Sequence, residues 1–507
     1  MTLRNIRSNN YPEWFQDVIT AADMAEGSVS PGCMIIKPWG YGVWMRIRRT
    51  LDDMFAETGH ENYYFPMFIP LSFFQKEADH VEGFAKEMAL VTHSKVRKNE
   101  EGKLVPYGAL EEPLVVRPTS ETIIADAFAK WVVSYRDLPI LMNQWANVVR
   151  WEMRPRLFLR TREFLWQEGH TAHATAEEAE AEANQMLEVY RSMCEDTMAM
   201  PVITGQKPEH EKFPGAVTTL CVEAMMQDGK ALQAGTSHYL GQNFSRPANI
   251  AFQNRDGEKE FAYTTSWGVS TRLVGGLLMS HADDEGMNTP PKVAPYQIVI
   301  VPMIKDESMR EPIMAYVAKL EAALRSQTAF GEKIRIKTDK RNKESVDKYW
   351  EWARKGAPII CEVGIRDVEG EKIMSKIRCR MNTPEHKKLL PFNDFVATAG
   401  ALLEEIQAEM FAKAKARMEA NIRTDITTLE ELKEYFTPKS GWLEDDKKSH
   451  PAFVLAKWSE DKDTIPLLKE MGITIRCIPF AYQDGKEGKC ILSGKPAVKY
   501  AIFARSY

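Results

Sequence analysis

The chain carries 507 residues, 44% of them hydrophobic and 27% charged, with a net charge of −5. Its length suits roughly two to four domains with sizeable cores. The slight acidic excess argues against bulk electrostatic binding of nucleic acid, while leaving room for local basic faces. No apolar run reaches the ~18 residues that a membrane span needs, and the opening MTLRNIRSNNYPEWF lacks the apolar centre of a signal peptide. Seven cysteines stand at 33, 194, 221, 361, 379, 477 and 490, with no CxxC among them. That spacing supports neither a zinc knuckle nor a disulfide framework. An odd, scattered set fits a reducing cytoplasm.

Residues 40–58 (GYGVWMRIRRTLDDMFAET) read as an amphipathic helix, with Val43, Trp44, Ile47, Leu51, Met54 and Phe55 on one stripe and Gly59 just past its end. NYYFPMF follows as a strand broken at Pro66. In VVRPTSETIIADAFAKWV, Pro118 disfavours helix before it and Thr119-Ser120-Glu121 caps the next one. From Arg150 to His173 the chain reads RWEMRPRLFLRTREFLWQEGHTAH, two strands joined by a basic loop around Pro155. Alternation puts Arg150 and Glu152 on one face of the first strand, and Phe164, Trp166, Glu168 and His170 on one face of the second. An apolar face that also carries Glu and His must satisfy both when buried.

Residues 176–199 are helical by their Ala and Glu content. In ALQAGTSHYLGQN (231–243), Thr236 and His238 share a strand face, and a bulge near Gly235 would bring Gln233 onto it. A strand ends at Trp267-Gly268, and a helix then runs from about Ser270 to Ala282, where Gly275 and Gly276 predict close packing on a sheet. NTPPKVAPYQ (288–297) reads as a linker. Beyond it, strands YQIVIVPM, KIRIKTD, PIICEVGI and EKIMSKIRCRM alternate with helices 307–326 and 344–354, as in a small α/β domain. Lys333, Arg335, Lys337, Lys340, Arg341 and Lys343 form a basic run that is either a nucleic-acid face or simply solvated. Lys372-Ile-Met-Ser-Lys376 superficially matches a KMSKS loop but alternates like a strand. A helix over 400–421 opens a third unit.

The helix running into a proline-ended strand, the Arg150-x-Glu152 hairpin and Gly268-x-x-x-Arg272 resemble, in order, motifs 1, 2 and 3 of the class II aminoacyl-tRNA synthetases. RWE…LRTREFLWQEGH is more narrowly similar to the prolyl-tRNA synthetases, in the archaeal and eukaryote-like type without the editing insertion. The resemblance covers essentially the whole chain. It implies an α/β protein with an α+β catalytic domain at 1–290 built on an antiparallel sheet. An α/β anticodon-binding domain at 291–400 and a small α+β C-terminal domain at 401–507 would follow. The last resembles the family's zinc-binding domain, but AKWSEDKDT lacks its first cysteine pair and only Cys490 stands near the second. One thiolate cannot make a four-ligand site, so no zinc or other resident metal is expected. The ending KYAIFARSY matches the family's closing aromatic-Ser-Tyr, so Tyr507 is expected to fold back toward the catalytic domain.

The implied reaction is ATP-dependent activation of L-proline followed by transfer to the 3′ end of tRNA(Pro), in a cytoplasmic homodimer, with Mg²⁺ on the ATP phosphates. Carried over by motif, Arg150, Glu152 and Arg272 are catalytic. ATP would lie against Arg150, Glu152, Arg160, Thr161, Gln233, Thr236 and Arg272. Proline would lie among Thr119, Glu121, Arg150, Trp166, Glu168, His170 and His238, and the anticodon would meet Glu362 and Arg366. A threonyl enzyme would need zinc ligands in the catalytic domain and a seryl enzyme a long helical arm, and neither is visible. The alternative from another class is a catalytically idle paralogue that binds RNA or regulates. It would be expected to lose Arg150, Glu152 or Arg272, and all three are present.

Overall fold

Asn10 accepts a hydrogen bond from the Glu13 amide and starts α1 (Tyr11–Ala21), which buries Trp14, Phe15, Val18 and Ile19. The computed structural model describes residues 3–75, 87–437 and 451–507. A short hairpin, β1 (Ala25–Gly27) and β2 (Met34–Ile36), leads into α2 (Pro38–Glu57). Its buried stripe is Val43, Trp44, Ile47, Leu51 and Phe55, and Gly59 at φ +86° follows its end in the left-handed conformation. Of the broken strand expected at NYYFPMF, only the end residues Asn62 and Phe68 are strand, in different sheets, and residues 63–67 belong to none. β3 (Glu61–Asn62) joins the main sheet, whereas β4 (Phe68–Pro70) joins β5 (Ala89–Lys98) and β6 (Leu104–Val116), with α3 (Leu71–Gln75) after it. Pro66 has no backbone N–H to continue a ladder between them.

Ser120 precedes α4 (Glu121–Trp131). The antiparallel pair β7 (Ile140–Val149) and β8 (Glu163–His173) then forms in unbroken register. Arg150 lies one residue beyond β7, and Glu152 lies in the loop, so the two do not share a strand face. Here the backbone turns locally: Glu152 accepts from the Arg154 amide at 3.0 Å. Thr175 and Glu178 form a capping box for α5 (Ala176–Ser192), which ends in a π turn reaching Thr197.

Strands β9 (Val202–Gln206), β10 (Thr218–Met225) and β11 (Ala231–Gly241) follow, then α6 (Ser245–Ala248) and the hairpin β12 (Ala251–Gln253) and β13 (Lys259–Phe261). β14 (Tyr263–Ser270) runs two residues further than expected, so Arg272 is the first residue of α7 (Arg272–His281). The two helix glycines have different partners. A Cβ on Gly276 would meet Leu232 of β11 at 2.6 Å, while one on Gly275 would meet Leu159 of the β7–β8 loop at 2.8 Å.

The α/β unit comprises β15 (Ile298–Pro302), α8 (Arg310–Arg325), the short hairpin β16 (Thr328–Ala329) and β17 (Glu332–Lys333), and β18 (Ile336–Thr338). It continues with α9 (Ser345–Lys355), β19 (Ile359–Val363), α10 (Ile365–Glu369), β20 (Lys372–Ile377) and β21 (Lys387–Pro391). The sheet order is β18-β15-β19-β20-β21, parallel through the first three and antiparallel after. The KIMS stretch lies within β20. The expected linker at 288–297 is clamped in place. Asn288, Thr289 and Gln297 are buried, and Arg335 donates to the carbonyls of Pro291, Lys292 and Ala294. Arg378 binds Asp283 bidentately at 2.6 and 2.8 Å, fixing this unit to the catalytic one.

Helix α11 (Phe392–Ala420) begins earlier than the expected 400, so the expected boundary at 400/401 falls inside it. Then come β22 (Ile422–Arg423), α12 (Leu429–Phe436), β23 (Phe453–Trp458), α13 (Ile465–Met471) and β24 (Thr474–Pro479). The chain closes with the hairpin β25 (Gly488–Lys489) and β26 (Pro496–Ala497), and with β27 (Lys499–Ala504). Cys490 is buried beside Ser459, and the neighbouring loops are tied by Lys495 on Asp461 at 2.5 Å. Among the described residues the main sheet has eleven strands, ordered β22-β23-β27-β24-β9-β10-β11-β14-β8-β7-β3. The C-terminal unit thus extends the catalytic sheet through the β24–β9 pairing. Tyr507 reaches the β10–β11 turn, where its amide donates to Ala231 O and its hydroxyl to Asp228 Oδ2 at 2.6 Å.

Candidate active site

The cleft is built on one face of three adjacent strands. Register places Glu168, Gly268 and Thr236 in one cross-strand row, and His170, Ser266 and His238 in the next. The bulge expected near Gly235 is there: Val222 faces Gly235 while Glu223 faces Gln233, so Gln233 turns to the same side as Thr236 and His238. The opposite face carries α5, where Ser237 donates to Ala183 O and Tyr190 to Gln167. Gly268 is required by close approach, because a Cβ there would stand 2.7 Å from Trp166 Nε1.

These elements enclose about 370 Å³, into which Thr119, Glu121, Arg150, Trp166, Glu168, His170, Gln233, Thr236, His238 and Arg272 all project. A smaller recess of about 150 Å³ adjoins it. Glu152, Arg160 and Thr161 lie there, sharing Arg150 and Arg272 with the main cleft. The Thr161 hydroxyl donates to Glu163 O at 2.6 Å.

The carboxylates have separate environments. Glu168 is buried and saturated: Ser120 donates from both amide and hydroxyl, Gln144 donates at 2.8 Å, and His170 Nε2 lies at 3.2 Å. Burial alone would raise its pKa, but the hydrogen bonds from His170 and Ser120 outweigh it and hold Glu168 below the ordinary range. Glu121 meets Thr119 Oγ1 at 3.2 Å and is largely buried at the cleft wall. Burial, partly offset by His170, lifts its carboxyl above the ordinary glutamate range. Burial and neighbouring His170 press His238 down to about 3, so its ring is neutral at any physiological pH. That ring packs on Phe213 with 4.7 Å between centroids.

Arg150 lies over the rings of Trp166 and Phe164 at 5.2 and 5.8 Å, and its Nε donates to Pro118 O. Arg272 donates to Leu159 O at 3.3 Å; burial, then Arg160 and Arg150, lower its pKa to about 10. The cleft therefore concentrates positive potential near Arg150 and Arg272, with a carboxylate floor at its other end. Such a surface fits a polyphosphate beside an ammonium.

Sequence reasoning missed Lys207, Glu211, Lys212 and Phe213, which also line the cleft. They fall on the β9 end and the following turn, where no local periodicity marks them. Glu362 and Arg366 lie in the α/β unit: Glu362 pairs with Lys376 at 2.7 Å, and Arg366 is exposed on α10. The expected basic run does not make one continuous cationic face. Arg335 holds the interdomain segment, Arg341 pairs with Asp339 and Glu351, and Lys343 pairs with Glu351.

The antiparallel sheet, the Arg-bearing hairpin and the strand-to-helix arginine define a class II aminoacyl-tRNA synthetase core. Residues 108–281 match the model of the tRNA synthetase class II core domain (G, H, P, S and T), and residues 297–401 match that of the anticodon binding domain. Residues 445–507 match the model of the prolyl-tRNA synthetase C-terminal domain, and the chain belongs to the prolyl-tRNA synthetase family. It is 56% identical to the proline–tRNA ligase of Paramagnetospirillum magneticum, over 99% of this chain and 98% of that protein. The Protochlamydia amoebophila proline–tRNA ligase is 54% identical over 99% and 97%. Among solved structures, the Cryptosporidium parvum prolyl-tRNA synthetase complexed with L-proline and AMP superposes with a TM-score of 0.86. That match is at 35% identity and covers 100% of this chain and 97% of the other.

Proposed function

We propose that this protein is a proline–tRNA ligase that activates L-proline with MgATP and transfers the prolyl group to tRNA(Pro). The observation that carries the reading is the single cleft joining Glu121 and Trp166 to Arg150 and Arg272. The proline ammonium is held by Glu121 and Thr119, with Glu168 and His170 fixing the floor and Trp166 and His238 walling the ring. One oxygen of the proline carboxylate attacks the α-phosphorus, and the bond to pyrophosphate breaks. Arg150 bridges the two reacting groups, and Arg272 neutralises the departing charge. Gln233, Thr236, Arg160 and Thr161 fix the nucleotide. The accompanying Mg²⁺ would be held mainly by the ATP phosphate oxygens, whose charge it would help neutralise. Glu152 and Glu87 in the recess are the carboxylates suited to share it.

Among the described residues no helix is long and apolar enough to cross a membrane. A cytoplasmic location is proposed from the reading as a tRNA-charging enzyme. A homodimer is supported by the exposed Tyr41 and Met45 on α2 and by Leu90, Val96, Leu104 and Tyr107 on the β5–β6 hairpin. Residues 174–262, between β8 and β14, are taken up by α5, β9–β11, α6 and the β12–β13 hairpin. This supports the absence of editing in cis. Glu362 and Arg366 are proposed to read anticodon bases.

ATP–pyrophosphate exchange across the twenty amino acids tests the reading. Exchange is expected to be strongest for proline, and none with proline, with or without tRNA, would overturn it. The pH dependence adds a second check. The ammonium binds ionised Glu121, so kcat/KM for proline falls as pH drops through that raised pKa. Glu121→Gln is expected to lower kcat/KM about 10–100-fold at neutral pH and to abolish this acid limb. An unchanged pH profile would remove Glu121 from the amine site.

A further inference from the structure

The hairpin that carries Gln233, Thr236 and His238 is gripped from its outer side by the C-terminal unit. β24 docks on β9 through Ile478 opposite Gln206 and Pro479 opposite Gly205. The strands meet this closely because residue 205 is glycine: a Cβ there would lie 2.5 Å from Ile478 O. Beside this seam sits a buried cluster of three charges. Glu223 of β10 is completely buried, and Arg476 of β24 places Nη2 3.0 Å from both of its carboxylate oxygens. Arg476 Nε adds a third bond at 3.1 Å, and Nη1 donates to Thr474. Lys207 Nζ donates to Glu223 Oε1 at 2.7 Å and to Arg476 O at 2.6 Å.

Two features aim this cluster at the cleft. Glu223 is the residue across from Gln233 where the β10–β11 register slips. Lys207 itself lines the cleft together with Gln233 and Arg272. We propose that Arg476 is a positioning residue for the nucleotide end of the cleft. By holding Glu223 it fixes the bulged register that presents Gln233, and it sets the place of the Lys207 ammonium. Without the guanidinium, a buried carboxylate keeps a single cationic partner, and the cheapest relief is for Lys207 and the bulge to shift toward it. The C-terminal unit thereby takes part in adenylation without touching substrate. This inference rests on the reading of the cleft as an ATP site.

The test compares wild type, Arg476→Met, Arg476→Lys and Glu223→Gln by the KM values for ATP and proline in pyrophosphate exchange, with thermal unfolding alongside. Arg476→Met is expected to raise the ATP KM about tenfold while the proline KM changes less than about twofold, a split that general destabilisation does not produce. Arg476→Lys recovers part of the loss, because it restores charge but not the fork. Lys495→Ala, which breaks an exposed pair in the same unit, is expected to change neither constant. A folded Arg476→Met with an unchanged ATP KM overturns the proposal. Should that variant fail to fold, Glu223→Gln, which keeps the side-chain shape, must show the same ATP-selective rise, and an unchanged value overturns the proposal equally. If the wild type shows no exchange, the reading of the cleft fails instead. Calorimetric titration of ATP into wild type and variants then still reads the positioning role.

Discussion

Arg150→Ala is expected to lower proline-dependent pyrophosphate exchange by about 10²–10³-fold, with most of the loss in kcat. Arg150 follows the last residue of β7, where its amide closes the ladder onto Arg162 O at 2.8 Å. Its guanidinium is held in place by the Pro118 carbonyl on one edge and by the Trp166 and Phe164 faces beneath. It lines the cleft together with Glu121, Glu168 and Arg272, and under the proposed reading the attacking carboxylate and the α-phosphate would meet at this arginine. Two anions approaching each other repel, and a planar fork held ready to bridge them would lower that barrier without reorganising. Arg150→Lys retains the charge but loses the fork and the stacking, so an intermediate rate is expected. Exchange by Arg150→Ala within about tenfold of wild type would show that the fork does not serve the chemical step.

The parts of this site legible in sequence are those set by local rules. Strand parity placed Phe164, Trp166, Glu168 and His170 on one surface, and the broken parity of Gln233 against Thr236 predicted a bulge that is present at Gly235. The Pro-Thr-Ser-Glu run marked where α4 starts, but the expected side-chain cap is not made, because the Ser120 hydroxyl is spent on Glu168. Parity failed at Glu152, because the strand ends at Val149 and a loop has no alternation to extend. What stayed hidden depends on which elements meet. Lys207 and Arg476 are 269 positions apart, and nothing near either residue names the other. The clamped segment at 288–297 read as a linker because its prolines are equally at home in a free chain. The helix glycines implied close packing, but which one meets the sheet and which the β7–β8 loop is set by the tertiary fold.

Gly169 shows how such a hidden contact carries a large effect. It lies between Glu168 and His170, yet it faces the opposite side of β8, directly across from Trp267 of β14. The indole lies flat on it: a Cβ at position 169 would stand 2.2 Å from two ring carbons. Trp267 cannot easily retreat. It is 2% exposed and packs against Phe55 of α2 and His60, each at 5.1 Å between centroids, with Tyr190 of α5 at 6.4 Å. Overpacking at such a site is expected to cost about 3 kcal/mol for Gly169→Ala. The main-chain shift should also pass to the flanking Glu168 and His170, so the proline KM rises as well. Adding Trp267→Leu makes room for the new methyl group, and the double variant is expected to unfold at a higher denaturant concentration than the two separate losses predict. Denaturant titration of the four proteins, with proline KM beside it, decides the matter. If Gly169→Ala matches wild type in both, the indole has an alternative position and the contact does not constrain the sheet.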